Sequence, residues 1–420
     1  MDTFTWIFLI ALFAGLVLQL WLTARQAAHI LTHAQTVPAA FAGRISLEQH
    51  QKAASYSLAR LGIERWDLVL GAVVVLGWTL GGGLNALDHV IGLAGLPAPW
   101  GGVALILSTV LVGGLIELPL SIWRTFGVEA RYGFNRNTPA GFIRDKLLAV
   151  LLTLLLGTPL VAVILWLMAG AGDYWWLWAW LVWMGFSLLI TWAYPIWIAP
   201  LFNKFQPLAD ATLRSRLEAL LQRCGFRSNG MFIMDGSRRS AHGNAYFTGF
   251  GPNKRIVFFD TLLDGLDGDE VEAVLAHELG HFKRRHIVKM LALSSIMSLL
   301  GLALLGWLSQ HGWFYQGLGV DRATPALGLV LFMFVLPVFS VFSSPLMAAF
   351  SRRHEFEADD FAAEQTDPRY LISGLLKMYR DNASTLTPDP LYSAFHHSHP
   401  PASVRIAHLS SKIPASIVQE

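Results

Sequence analysis

The sequence predicts a mainly α-helical polytopic membrane protein. Three observations carry this: its composition, the length of its apolar runs, and the side of those runs on which its cations fall. Of 420 residues, 54% are hydrophobic and 14% charged, against about a quarter charged in a soluble globular chain, and the mean hydropathy is +0.47. Apolar runs of about 20 residues can cross a bilayer, so the length goes into spans rather than into two or three soluble domains of ~150 residues. Composition excludes a disordered or collagen-like chain. The lone cysteine, Cys224, excludes a disulfide scaffold and a multi-cysteine metal site. A balance of 31 basic and 29 acidic residues argues against a nucleic-acid partner.

Seven segments have the length and apolarity of spans: residues 3–23, 67–87, 102–123, 147–170, 175–199, 288–308 and 326–349. The first is too long, and lacks the basic start, of a removed signal peptide. Between the first two lie Arg25, Arg44, Lys52, Arg60 and Arg65; between the third and fourth lie Arg124, Arg131, Arg136, Arg144 and Lys146. The alternate loops hold only Arg322. Cations concentrate on the cytoplasmic side, so the N-terminus is expected outside, with residues 200–287 and 350–420 facing the cytoplasm. The tryptophans Trp175, Trp176, Trp178, Trp180 and Trp183 then mark the outer end of the fifth span. This divides the chain into an N-terminal membrane unit, 1–200, with five spans, and a second unit, 201–420, containing spans six and seven. Gln19, Asn85, Thr109 and Glu117 interrupt the spans, and an intramembrane carboxylate such as Glu117 is expected to face protein or water.

Chemistry concentrates in the second unit, at His277-Glu278-Leu279-Gly280-His281. Positions four apart share one helix face, so two imidazoles can grip one zinc ion with a glutamate beside it. Asp267 and Glu270 form a capping-box pattern, followed by Val271, Val274, Leu275 and Leu279 at helical spacing. Glycine at position 280 costs helix propensity of ~1 kcal/mol relative to alanine, which implies a close approach there. A catalytic zinc takes three protein ligands. The third is expected from His354-Glu355-Phe356-Glu357-Ala358-Asp359, just after span seven and therefore at the same membrane face. Spacing alone leaves His354, Glu355 and Glu357 open as that ligand. Residues 245–250, a Gly251-Pro252-Asn253-Lys254 turn and residues 255–260 read as a β-hairpin, which could bind peptide along its edge.

These residues resemble the CaaX prenyl protease 1 family of seven-span zinc metallopeptidases. The resemblance rests on Arg131-Tyr132-Gly133-Phe134-Asn135, on His242-Gly243-Asn244-Ala245-Tyr246-Phe247, on the His277 to His281 motif, on Glu355 to Asp359, and on Ser398-His399-Pro400-Pro401 with Arg405. It implies Glu355 as the third ligand beside His277 and His281, Asp359 as the carboxylate orienting a ligand histidine, and one zinc ion per chain. It implies Glu278 as the catalytic base, and Asn244, His399 and Arg405 around the scissile carbonyl. Donors there can stabilise an oxyanion, and an arginine can hold the arrangement or a substrate carboxylate. Asn244 and Ala245 are the expected substrate-binding positions. An α-barrel of the spans around a water-filled chamber is implied by the resemblance alone.

The expected activity is zinc-dependent endopeptidase hydrolysis of a peptide or protein substrate, lipidated or otherwise held at the bilayer. An apolar chain partitions there at ~0.8 kcal/mol per buried CH₂. The chain ends without a dibasic retrieval tail, and its Ala-, Leu- and Trp-rich composition suggests a bacterial inner-membrane member with a periplasmic N-terminus. Bacteria generally lack prenylated CaaX proteins. The first alternative is therefore quality control of misfolded membrane proteins, as by the HtpX heat-shock protease, a shorter chain with fewer spans. A metal-binding transporter is the non-enzymatic alternative, without the internal symmetry or mid-bilayer charges it would need. Oligomeric state is not legible.

Overall fold

The computed structural model describes residues 2–226, 228–248 and 255–413. Its membrane part opens with α1 (Thr3–His33), α2 (Leu47–Trp78), α3 (Gly83–Leu93), α4 (Trp100–Ile122), α5 (Pro139–Gly170) and α6 (Trp175–Ala193), ending in the short α7 (Ala199–Phe202). The part that follows carries β1 (Phe205–Pro207), α8 (Ala211–Arg223), β2 (Met231–Met234), β3 (Ala245–Thr248), β4 (Arg255–Phe259), α9 (Asp260–Gly265) and α10 (Gly268–Lys283). The chain re-enters the apolar layer with α11 (His286–Leu308), α12 (Gly312–Gln316) and α13 (Pro325–Ser340). It finishes on α14 (Ser344–Gln365), α15 (Pro368–Asp381), α16 (Pro390–His396) and α17 (Ala402–Ser410).

Among the described residues, six helical stretches are long and apolar enough to cross a membrane, and α2 with α3 makes a seventh. That seventh span is not the unbroken helix expected over 67–87. It bends by 54° between α2 and α3, where Gly82 takes a left-handed φ of 79°, a conformation that costs glycine nothing. Two of the polar interruptions are satisfied locally. Asn85 donates to the Gly319 carbonyl and accepts from the Asp321 amide, and Thr109 donates to its own helix at Leu105. Glu117 is exposed.

The spans pack as a closed ring, each against the next: α1, α2, α4, α5, α6, α11, α13 and back to α1. One apolar cluster, including Phe8, Leu84, Leu105, Leu165, Leu305 and Phe314, plugs the ring. These residues come from the starts of α1, α3 and α4, the ends of α5 and α11, and α12, so the plug lies at the end of the ring away from the sheet and α10. Away from the plug, three of the ring helices are sparsely buried among the described residues. In the most apolar stretch of α5 6% of residues are buried, in α6 11%, and in α11 none, although each of these helices packs on both ring neighbours.

A four-stranded sheet, in the order β1-β2-β4-β3, stands beside α10. The expected hairpin is present as β3 and β4, antiparallel with Ala245 opposite Phe258 and Thr248 opposite Arg255; its turn, 251–254, lies outside the described residues. Strands β1 and β2, unforeseen, extend it, with β2 parallel to β4. This leaves β3 at an edge. A core of Leu217, Leu220, Phe258, Leu275, Leu279 and Ala362 packs the sheet, α8, α10 and α14 together.

Candidate metal centre

Helix α10 starts with the expected capping box: Asp267 accepts from the Glu270 amide and Glu270 accepts from the Asp267 amide. Glu270 is itself buried, and Ser373 and Lys377 of α15 donate to it at 2.7 and 2.6 Å. The start of the helix is thereby pinned twice. One turn from its end, Gly280 lies against α14: a Cβ there would fall 2.8 Å from Ala358 Cα and 3.0 Å from its carbonyl oxygen. This is the close approach the glycine implied, and it brings Glu355 and Asp359 of α14 over His277 and His281. The variant Gly280→Ala must push backbone apart. It is expected to cost about 1–3 kcal/mol, the usual penalty of overpacking, read as a lower melting midpoint.

The three ligand candidates converge. His277 Nε2 and His281 Nε2 lie 3.3 Å apart, and each is 3.5 Å from an oxygen of Glu355. Ligand atoms held tetrahedrally at 2.0–2.2 Å from a metal stand about 3.3–3.6 Å from one another, so the spacing fits one ion. Glu355 is 4% exposed, and its Oε2 is buried with no hydrogen-bond partner. A buried carboxylate oxygen is rarely left unpaired; here Oε2 faces His277 Nε2 while Oε1 faces His281 Nε2, so the carboxylate and the two imidazoles enclose a place for a cation.

The outer nitrogen of each imidazole is fixed from behind. His277 Nδ1 is 2.9 Å from Asp359 Oδ1, so the neutral ring carries its proton on that side and offers the Nε2 lone pair to a metal. Asp359 is fully buried and receives Arg405 in a two-pronged contact, at 2.5 and 2.9 Å. Arg405 also stands 3.8 Å from Glu355. On the other ligand, His281 Nδ1 is 3.0 Å from His286 Nδ1, and His286 Nε2 is 3.0 Å from Glu357 Oε2. If His286 donates to Glu357, it accepts from His281, and His281 Nε2 again faces the metal place unprotonated. Such partners orient ligands and tune their basicity.

These contacts separate the candidates that spacing left open. Glu355 joins the two histidines, His354 stacks on His286 with ring centroids 4.1 Å apart, and Glu357 serves His286. Burial and neighbouring His277 push the His281 imidazole down to about 3. At His277, burial and Arg405 favour the neutral ring, but the carboxylates of Asp359 and Glu355 outweigh them and raise it to about 9. Glu278 lies beside the trio with no hydrogen bond or ion pair among the described residues, and burial raises its carboxyl above the ordinary range.

His399 comes from the segment after α16. Its ring is 64% exposed and its Nε2 is 3.4 Å from Glu355 Oε1, on the open side of the cluster. Asn244 is exposed at the start of β3, its Oδ1 accepting from the Ala245 amide at 2.8 Å. Of the two tasks open to Arg405, its place favours holding the arrangement: at 7% exposure it lies behind Asp359, which it binds. Sequence reasoning missed His286 and Glu357 in these roles, and also a second group that anchors the start of β3. There Asn382 accepts from the Gly243 amide at 3.0 Å and contacts His242. His242 stacks on Phe134, with centroids 4.3 Å apart, beside Glu129 and Tyr56. The Arg131–Asn135 segment is thus joined to the strand, through an isolated bridge between Asn135 and Ser240.

Comparison with known proteins covers both units. Residues 26–204 match a family model described as CAAX prenyl protease N-terminal, five membrane helices, and residues 207–413 match Peptidase family M48. The chain is similar to the CAAX prenyl protease 1 homolog of Oryza sativa subsp. japonica, at 34% identity over 89% of this chain and 90% of that one. It is also similar to the Homo sapiens homolog, at 33% identity over 74% and 73%, and to CAAX prenyl protease 1 of Saccharomyces cerevisiae, at 35% over 70% and 69%. The crystal structure of S. mikatae Ste24p superposes with a TM-score of 0.90 at 29% identity, covering 97% of this chain and 99% of that one. These relatives are eukaryotic and lend no support to the expected bacterial origin.

Proposed function

The chain belongs to the CAAX prenyl protease 1 family of membrane metallopeptidases, and on that premise we propose that His277, His281 and Glu355 hold one zinc ion and that Glu278 is the base of peptide hydrolysis. The observation that carries this is the buried Glu355 carboxylate, with one oxygen 3.5 Å from each imidazole nitrogen and no hydrogen bond to its Oε2. Two histidines and a glutamate are the donor set of many catalytic zinc sites, with a fourth position left for water. Zinc, when bound, supplies Lewis acidity toward the scissile carbonyl and a water of lowered pKa.

The protein's own groups do the rest. Glu278 accepts the proton of the attacking water and returns it to the leaving amine; a carboxyl raised by burial is the better matched to both tasks near neutral pH. His399, exposed beside Glu355, donates to the oxygen that becomes negative. Asn244 and Ala245 at the free edge of β3 hold the substrate backbone as an added strand. Asp359 and His286 fix the two ligand histidines, and Arg405 fixes Asp359. Arg405 is therefore a positioning residue.

The substrate is a peptide or protein met in the membrane, and we propose a lipidated one, drawn to the ring by partition into the bilayer. The distribution of Lys and Arg supports a cytoplasmic metal centre and an outside N-terminus. Composition remains the sole support for a bacterial inner membrane. The boundaries of the two family matches support a division into units 1–200 and 201–420. The HtpX-type reading loses ground on the first of them, since that family has fewer spans and a shorter chain. The sparse burial of α5, α6 and α11 supports a chamber inside the ring.

The test is elemental analysis with cleavage of a farnesylated CaaX peptide. One zinc per chain is expected, with loss of cleavage on chelation and recovery on adding zinc; full cleavage after verified metal removal would overturn the assignment. The affinity for zinc should depend on pH in a stated direction. His277, raised to about 9, carries a proton in the metal-free protein below that pH, and metal must displace it. Apparent affinity is therefore expected to rise roughly ten-fold per pH unit from pH 6 toward 9 and then to flatten, as competition with a chelator would measure.

A further inference from the structure

Arg405, which could have held either the arrangement or a substrate carboxylate, is engaged by Asp359. Another arginine stands where such a group would arrive. A cavity of about 360 Å³, within the range of small-ligand sites, opens beside His399 and is lined by Tyr56, Arg60 and Glu64 of α2, Asn382 after α15, and Tyr392 of α16. Among the described residues, Arg60 is the only lysine or arginine in its wall. Its guanidinium lies over the Tyr56 ring, 5.6 Å from the centroid, and it is exposed. Among the described residues no carboxylate lies within the 4.0 Å of an ion pair with it. The nearby acids are engaged elsewhere: Glu64 accepts from the Tyr392 hydroxyl at 2.9 and 3.1 Å, and Glu129 accepts from the Tyr56 hydroxyl at 2.6 Å.

The cavity also lies where a strand added to β3 would lead. Asn382, in its wall, holds Gly243 at the start of β3 through both its oxygen and its nitrogen. His399, also in the wall, contacts the metal ligand Glu355. Antiparallel addition, the slightly more stable ladder, runs the C-terminal side of the substrate toward Asn244 and Gly243. About three extended residues beyond the scissile bond span roughly 10 Å, enough to pass His399 and enter the cavity.

Resting on the peptidase reading above, we propose that this cavity receives the C-terminal segment of the substrate and that Arg60 binds its free terminal carboxylate. A guanidinium matches a carboxylate with two parallel N–H donors, and the Tyr56 ring keeps it flat and aimed. Arg60 is thus the residue that reads the end of the substrate. It adds a length and charge requirement that the metal centre alone does not impose.

The experiment compares one farnesylated CaaX peptide with a free C-terminal carboxylate against the same peptide ending in a carboxamide. The wild-type protein is expected to cleave the acid with kcat/KM about ten-fold or more above the amide, the size of one charge-assisted hydrogen bond, mostly through KM. Arg60→Gln is expected to cleave both at the wild-type amide rate, and Arg60→Lys to retain part of the preference. Equal cleavage of acid and amide by the wild-type protein, or full preference kept by Arg60→Gln, would overturn the proposal. Cleavage of the amide reports the peptidase reading by itself, so that reading stands or falls separately.

Discussion

Replacing Glu278 with glutamine is expected to leave one zinc per chain in place and to lower kcat by about 10²–10⁴-fold, the contribution of a positioned general base. The substitution keeps size and shape but removes the basic oxygen. Glu278 has no partner among the described residues, so glutamine leaves no ion behind unpaired, and the fold should hold. The proposed ligands His277, His281 and Glu355 are untouched by it. Elemental analysis and turnover on the same preparation check both halves. A zinc-replete Glu278→Gln protein that cleaves at the wild-type rate would remove Glu278 from the mechanism.

The second large effect is structural. Arg405→Met leaves Asp359, with none of its surface exposed, as a buried charge facing only His277. Breaking a buried ion pair from one side costs about 3–5 kcal/mol, which a thermal melt in detergent would show as a clear drop. Because Asp359 orients His277, zinc affinity should fall as well, by about 10–100-fold. The paired variant Arg405→Met with Asp359→Leu separates the two consequences. Removing both charges should recover most of the stability while the affinity stays low, since His277 has lost the acceptor at its Nδ1. Single-variant melting and affinity equal to wild type would show that Arg405 supports neither.

What could be read in advance was what is local or periodic. The helix of His277 and His281 was legible because its cap, its apolar spacing and its ligand pair all fall within 16 residues. The ring's spans were legible because each is a single apolar run. The choice among His354, Glu355 and Glu357 needed the opposing surface. On α14 alone all three are candidates, and it is His286, arriving from α11, that engages His354 and Glu357 and leaves Glu355 to the metal place. The same holds for Tyr56, Glu129, His242 and Asn382, which meet from four distant segments with no spacing to announce them. Strand β2 is four residues long and buried at both ends, too short for a period to register. The break between α2 and α3 was lost because hydropathy averages over the glycines that cause it.

The turn between α10 and α11 is two residues long, Arg284 and Arg285, and Arg285 takes the left-handed φ of 56° that closes it. The first residue of the membrane helix, His286, is already hydrogen-bonded to the ligand His281. Among the described residues, only Arg284 and Arg285 separate the apolar helix from the helix of the proposed ligand histidines. Helices adjust their tilt to the thickness of the hydrocarbon layer, and a change of tilt in α11 moves His286 directly. Lipid thickness is thus expected to reach the proposed metal site mechanically, and metal affinity compared in thin and thick bilayers would measure it.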